Sequence, residues 1–170
     1  RPRPDDYQIK QAAELIKKSK NPIIISGGGV FYSDAMKEIS EFAKKHNIPT
    51  AQTVMGYSSM KKDDPYFLGA IGGFGGKAPN NFMKKTDLAI AVGTKLADFT
   101  TGSWSNFENP NFKLVSINVS RFDANKHMAQ SIVGDAKVSL QDLTNCLGAW
   151  RSPEEWYKKS RSAVESWNNY

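Results

Sequence analysis

Two short segments, Ile23-Ile24-Ile25 and Leu88-Ala89-Ile90-Ala91-Val92, are apolar at every position. A strand with one wet face alternates apolar and polar side chains, so an unbroken run predicts a strand covered on both faces. The sequence around them has helical spacing. Ile9, Ala12, Ala13 and Ile16 share one helical face, with Asp5 or Asp6 placed to cap its start and Asn21-Pro22 to end it. Ser33 is expected to cap a second helix with Ala35, Ile39, Phe42 and Ala43 on its apolar side, and Asn47 and Pro49 stop it.

The remaining elements follow the same alternation. Strands are expected near residues 50–54, 114–119 and 131–133, and a short helix near 78–84. Asp135 caps a helix carrying Ala136, Leu140, Leu143 and Leu147, and Gly148 sits at its C-cap. Ser152-Pro153-Glu154-Glu155 has the pattern of a capping box before a last helix, with Trp156, Ser160, Ala163, Val164 and Trp167 on one face. Buried strands alternating with amphipathic helices define the fold class: α/β, a Rossmann-like parallel sheet with helices on both faces. Ligands of such sheets bind beyond the carboxyl ends of the strands, where the strand order reverses.

Composition bounds the partners. The 23 Lys and Arg against 17 Asp and Glu give a net charge of +6, but the lysine pairs are scattered and expected at helix ends or in loops. That distribution predicts a solvated surface rather than a nucleic-acid face. No apolar run approaches the ~18 residues of a membrane span. Cys146 is the single cysteine, so no internal disulfide forms, and with two histidines no Cys/His zinc site is available. A lone thiol fits a reducing, cytoplasmic setting. Arg1-Pro2-Arg3-Pro4-Asp5-Asp6 reads as a linker, and the chain as a piece of a longer protein. The expected organisation is an interdomain linker at 1–6, a central α/β domain at 7–150, and a C-terminal helix at 151–170 leading to the next domain.

Few residues have the chemistry of a site. Gly27-Gly28-Gly29 follows a buried strand and precedes a helix, but Tyr32 stands where G-x-G-x-x-G needs its third glycine, and Gln52-Thr53 ends the second strand without a ribose-binding acid. Two readings stay open for it: a plain tight turn, or a turn that faces a ligand. Gly69 to Gly76 is not a P-loop, since Gly76-Lys77 is followed by Ala78. It is either a flexible connection or a loop packed against a cofactor or partner domain. The segment from Gly93-Thr94-Lys95 to Trp104 begins at a strand's carboxyl end and is rich in hydroxyls, which makes it a contact candidate. His46 is placed at a helix end, where an imidazolium suits the dipole, and His127 in a polar loop. Neither has a Ser or Cys nucleophile assignable to it, and no carboxylate pair stands at acid–base spacing. No catalytic residue and no metal ligand are assigned.

The order of the pieces resembles the central domain of thiamine-diphosphate-dependent enzymes of the acetolactate synthase and pyruvate oxidase group. The likeness is carried by the proline linker, Lys20-Asn21-Pro22-Ile23-Ile24-Ile25-Ser26-Gly27-Gly28-Gly29-Val30, Leu68-Gly69-Ala70-Ile71-Gly72, Asp87-Leu88-Ala89-Ile90-Ala91-Val92-Gly93-Thr94 and Gly134-Asp135-Ala136, which together cover nearly the whole chain. Within that group, Asp98-Phe99-Thr100-Thr101-Gly102-Ser103-Trp104 and Ile117-Asn118-Val119-Ser120-Arg121 are similar to the hydrolases that open a trihydroxycyclohexane-dione ring in myo-inositol breakdown. The resemblance implies a three-domain, homo-oligomeric enzyme in which flanking domains hold thiamine diphosphate and magnesium. It implies hydrolytic cleavage of a C–C bond by the whole enzyme and none by this domain alone. The terminal tryptophans would then mark exposed contacts with neighbouring units.

In acetolactate synthases the central domain holds FAD. The matching positions here are Gly27, Gly28, Gly29, Thr94, Lys95, Asn118 and Asp135. Arginines of that group are replaced by Lys95 and Phe99, and an aspartate by Asn118, which removes charge-assisted contacts. Gly134-Asp135 with Asn168-Asn169 imitates a magnesium-binding pattern, but the third residue is Ala136 and helix capping accounts for Asp135. Two alternatives remain: the central domain of another acetolactate synthase-like enzyme, and a stand-alone flavin- or nucleotide-binding module.

Overall fold

Six strands pair in parallel in a computed structural model of the chain, which describes the backbone of residues 1–168 and the side chains of residues 1–166. They are β1 (Pro22–Ser26), β2 (Thr50–Gln52), β3 (Phe67–Ala70), β4 (Leu88–Val92), β5 (Lys113–Asn118) and β6 (Gln130–Val133), in the order β3-β2-β1-β4-β5-β6. The order reverses between β1 and β4, whose register runs from Pro22 opposite Leu88 to Ser26 opposite Val92. All five residues of β1 and all five of β4 are buried, as their unbroken apolar runs predict.

The helices are α1 (Asp6–Lys18), α2 (Gly28–Tyr32), α3 (Met36–His46), α4 (Lys77–Met83), α5 (Asp98–Thr101), α6 (Arg121–Ala124), α7 (Ala136–Leu147) and α8 (Glu154–Asn168). Because side chains alternate across a strand, β1 feeds two cores. Ile24 joins Ile90, Val115 and Ile132 beneath α1, α3 and α7. Ile23 and Ile25 join Ala89, Ala91 and Leu114 on the opposite face, with Phe82 of α4 and Trp156 of α8.

Several expectations are corrected. Ser33 is not an N-cap: Ala35 precedes α3, and the extra helix α2 occupies the turn after β1, with Ser33 at its C-terminal end. The second strand stops at Gln52, and Val54–Gly56 form a 3-10 turn because the Thr53 hydroxyl accepts the Gly56 N–H. The glycine cluster begins inside a strand, since Phe67–Ala70 pairs with β2 across a register shift and Gly69 takes a φ of +113°. Lys158 and Lys159 lie inside α8 rather than at a helix end or in a loop.

The capping box before α8 does not form. The Ser152 hydroxyl donates to the Asn47 carbonyl and the Ser152 N–H to the His46 carbonyl, so this segment is stapled to the end of α3. Asn47, left-handed at the C-cap of α3, donates to Glu154 from the same place. His46 is fully buried there and bonds the Trp150 carbonyl through Nδ1 at 2.8 Å. Burial lowers its pKa despite that carbonyl, and Lys45 and Arg151 lower it further. The imidazole is therefore neutral, not the helix-end imidazolium expected. Trp156 is buried, as its place on the apolar face of the last helix predicts, so it marks no exposed contact: it stacks on Phe82 at 4.0 Å and donates Nε1–H to the Pro22 carbonyl at 2.7 Å. Trp150 is half-buried against the core. The Trp167 side chain and Asn169 lie outside the described residues, which include only the backbone of Asn168.

Candidate functional site

The switch point between β1 and β4 is where a parallel sheet of this order binds ligands. The glycine turn meets the end of β4 there, backbone against backbone. Gly27 N–H donates to the Val92 carbonyl and Gly29 N–H to the Gly93 carbonyl, both at 2.9 Å. A Cβ on Gly29 would lie 2.6 Å from Gly93 Cα, and one on Gly28 would lie 2.9 Å from the Met55 carbonyl oxygen. A Cβ on Gly27 would collide with the Gly93 carbonyl and Thr94. Glycine is required here because three loops close on one another.

Two of the N–H groups that would cradle a phosphate are already spent, one on the last carbonyl of β4 and one on the Gly93 carbonyl that follows it. A crevice of about 310 Å³ remains beside the turn, lined by Gly29, Tyr32, Asn118 and Asp135 among others. Of the seven expected positions, Gly29, Asn118 and Asp135 line this crevice; Gly27, Gly28, Thr94 and Lys95 do not.

The side chains of Ser33, Asn118 and Asp135 at the crevice are each hydrogen-bonded. Asn118 donates to the Thr94 carbonyl at 3.3 Å and accepts the Ser120 N–H at 2.9 Å. Thr94 Oγ1 accepts the Leu96 N–H at 3.2 Å, and Lys95 is exposed. Asp135 caps α7, accepting from the N–H groups of Lys137 and Val138. It also accepts the Ser33 hydroxyl at 2.6 Å and the Arg1 guanidinium at 3.0 Å. Burial pushes the Asp135 carboxyl up, but Ser33, the Val138 N–H and Arg1 together hold it below the ordinary range.

The expected linker belongs to this site. The Asp135 N–H donates to the Pro2 carbonyl at 2.8 Å, and a Cβ on Gly134 would meet Pro4 at 2.9 Å. Residues 1–4 thus cross the carboxyl edge of the sheet as a docked strap. Sequence reasoning missed Arg1 and Ser33 because contacts at separations of 134 and 102 residues leave no local pattern.

The second glycine cluster makes contacts with the loop after β4 and with α4. Gly73 N–H donates to the Phe99 carbonyl at 2.9 Å, and Asn80 both accepts from Gly72 N–H and donates to its carbonyl. Phe74 and Phe99 meet at 4.9 Å, joining the loops after β3 and β4. His127 stacks on Trp104 at 4.0 Å. A larger groove of about 1260 Å³ runs between α4 and α8, but no strand-end residue lines it. Its charged residues Lys77, Lys158, Glu154 and Glu155 stand on α4 and α8 away from the strand ends, so the switch point is the better candidate.

The residues at the switch point do not fit a bound diphosphate. Beyond the spent N–H groups, the crevice presents the Asp135 carboxylate, which opposes an anion. Among the described residues no group of three or more His, Cys, Asp or Glu side chains is placed to hold a metal ion. No helix among them is long and apolar enough to cross a membrane.

Residues 9–143 match the model of the thiamine pyrophosphate enzyme central domain. The chain belongs to this family. The relatives it matches narrow the likeness. It is 40% identical over 167 residues to a 3D-(3,5/4)-trihydroxycyclohexane-1,2-dione hydrolase of Clostridium perfringens (strain 13 / Type A), covering 98% of this chain and 26% of that protein. The hydrolase of the same name from Clostridium botulinum (strain Alaska E43 / Type E3) is 46% identical over 147 residues, 86% of this chain and 23% of that protein. The one from Bacillus thuringiensis (strain Al Hakam) is 37% identical over 164 residues, 96% of this chain and 26% of that protein. The chain therefore spans about a quarter of the length of these curated relatives. A central domain of thiamine pyrophosphate enzymes is thus built here on the strand order β3-β2-β1-β4-β5-β6.

Proposed function

We propose that this chain is the framework domain of a thiamine-diphosphate-dependent hydrolase that opens the ring of a trihydroxycyclohexane-dione in myo-inositol breakdown. The observation that carries this reading is identity of 40% along 98% of the chain to a hydrolase of that name. In the proposal, residues 1–6 and the α8 segment (151–170) join residues 7–150 to flanking domains of the same polypeptide. Those domains hold thiamine diphosphate and magnesium and supply the electron sink for C–C cleavage. The enzyme works as a homo-oligomer in the cytoplasm, a compartment suited to the single thiol of Cys146.

This domain contributes rigidity instead of reacting groups. Gly27, Gly28 and Gly29 bring the ends of β1 and β4 into contact, Thr94 and Asn118 tie the loops after β4 and β5, and Asp135 fastens the incoming strap. Lys95 is the one expected position with a free side chain at the surface among the described contacts. The crevice is then what remains of a dinucleotide site. The test is turnover by the complete polypeptide. Ring opening of 3D-(3,5/4)-trihydroxycyclohexane-1,2-dione that requires thiamine diphosphate supports the reading, and a reading frame without thiamine-type domains defeats it.

One observation favours a second reading, a flavin- or nucleotide-binding domain: the crevice of about 310 Å³ lies at the switch point, with Gly29 and Asp135 in its wall. Titration of the chain with FAD, NAD(H) and ADP separates the two. Micromolar binding of any of them favours this second reading.

A further inference from the structure

The connector between α7 and α8, residues 148–153, lies against the last turn of α3 and is held there through backbone carbonyls. Arg151 donates to the carbonyls of Lys44 and Lys45 at 3.3 and 2.9 Å. Ser152 donates its N–H to the His46 carbonyl at 2.9 Å and its hydroxyl to the Asn47 carbonyl. These are carbonyls that a helix end leaves without intrahelical partners. In return, the His46 ring bonds the Trp150 carbonyl through Nδ1 at 2.8 Å. A carbonyl only accepts, so Nδ1 carries the proton and Nε2 is bare in the neutral ring.

Nε2 is the atom that responds to acid. It is buried and has no hydrogen-bond partner among the described residues. The ring lies 4.8 Å from Phe42 and 6.2 Å from Trp150, centroid to centroid. A proton on Nε2 creates a buried N–H without an acceptor and a buried charge at once. The surrounding groups do not compensate for it. Lys45 on α3 and Arg151 on the connector both oppose an imidazolium. Glu154 of α8 accepts from Asn47 Nδ2 at 3.1 Å. Tyr66 donates its hydroxyl to Asn47 Oδ1, and Tyr157 of α8 stacks on Tyr66 at 4.7 Å. From α7, Cys146 packs against the same core as Trp150.

The two helices have seats of their own. Ile39, Phe42 and Ala43 of α3 are buried in the core, and Trp156 fixes α8 to Phe82 and the Pro22 carbonyl. We propose that His46 is an acid-sensitive latch: its neutral imidazole holds the α7–α8 connector on the end of α3, and protonation releases the connector while α3 and α8 keep their seats. Opening exposes the ring to water, where it takes up a proton near the ordinary 6.5, whereas burial lowers the pKa of the closed form. The open form therefore gains as pH falls below about 6.5, by at most about tenfold per pH unit.

Hydrogen exchange of the complete polypeptide, read at single amides and corrected for the intrinsic pH dependence of exchange, tests the latch. Protection of the Ser152 N–H is expected to fall at least about threefold from about pH 7.5 to about pH 5.5. The Ile24 N–H, bonded to the Pro49 carbonyl in the core, is expected to stay at least about tenfold better protected than Ser152 at the lower pH. A smaller change at Ser152 overturns the proposal. So does Ser152 protection within about tenfold of Ile24, because opening is then global. In His46→Gln the fall at Ser152 is expected to vanish, and its persistence overturns the proposal. If that variant does not fold, His127→Gln, which alters the other histidine of this chain, decides: the fall at Ser152 is expected to remain, and its loss overturns the proposal.

Discussion

The hydroxyl of Ser33 donates to the carboxylate of Asp135 at 2.6 Å, tying the turn after β1 to the N-cap of α7 across 102 residues. The same carboxylate receives Arg1. One side chain therefore closes the sheet, caps a helix and anchors the strap. Asp135→Ala is expected to cost about 1–3 kcal/mol, the loss of a cap plus a buried hydroxyl without its acceptor. Urea denaturation measures it. Ser33→Ala, which keeps the Asp135 carboxylate on the Lys137 and Val138 N–H groups, is expected to cost less than Asp135→Ala, and the reverse ranking contradicts the assignment.

Gly29→Ala separates a packing role from a ligand role. The added methyl lies 2.6 Å from Gly93 Cα, so β1 and β4 must part at their ends. A loss of about 1–3 kcal/mol is expected with no ligand present. Unchanged stability, with an effect confined to nucleotide binding, would return the turn to a ligand site.

His46 makes the domain sensitive to mild acid. Its folded pKa lies below the ordinary 6.5, so the unfolded chain takes up the proton first as pH falls. Stability is full above that value and falls as pH drops from about 6.5 toward the lowered folded pKa, with a slope of at most ~1.4 kcal/mol per pH unit. His46→Gln is expected to flatten the urea midpoint between about pH 5 and 7 relative to the parent chain. Asp135 acts lower: its depressed pKa gives stability that is present above the ordinary 3.8 and lost as pH falls through the folded value.

Trp156→Ala tests the seat of α8. It removes the stack on Phe82 and leaves the Pro22 carbonyl without its indole donor. A loss of about 3–5 kcal/mol is expected for a buried tryptophan. Trp156→Phe keeps most of the packing and isolates the hydrogen bond, worth about 1 kcal/mol. Thermal melts followed by circular dichroism give both values.

The strands and principal helices were legible because burial on both faces leaves an unbroken apolar run, as in Leu88–Val92, and a helical face repeats, as in Ile9 to Ile16. The cap at Asp135 was legible because capping is local. β3 was obscured because Gly69 and the neighbouring glycines imitate a loop, and its pairing depends on β2, well separated in sequence. His46 misled because its position on α3 is local while its burial comes from Trp150. The same limit governs the site. The glycines after β1 were visible, but that their N–H groups serve the end of β4 and Gly93 instead of a phosphate follows only from the meeting of strands far apart in sequence.

The central claim is that this domain holds shape while the reacting groups reside elsewhere in the polypeptide. Side-by-side assays with 3D-(3,5/4)-trihydroxycyclohexane-1,2-dione, thiamine diphosphate and magnesium test it most directly. The account predicts turnover by the complete polypeptide and no turnover, with no heat of thiamine diphosphate binding, for residues 1–170. Ring opening by residues 1–170 alone would contradict it.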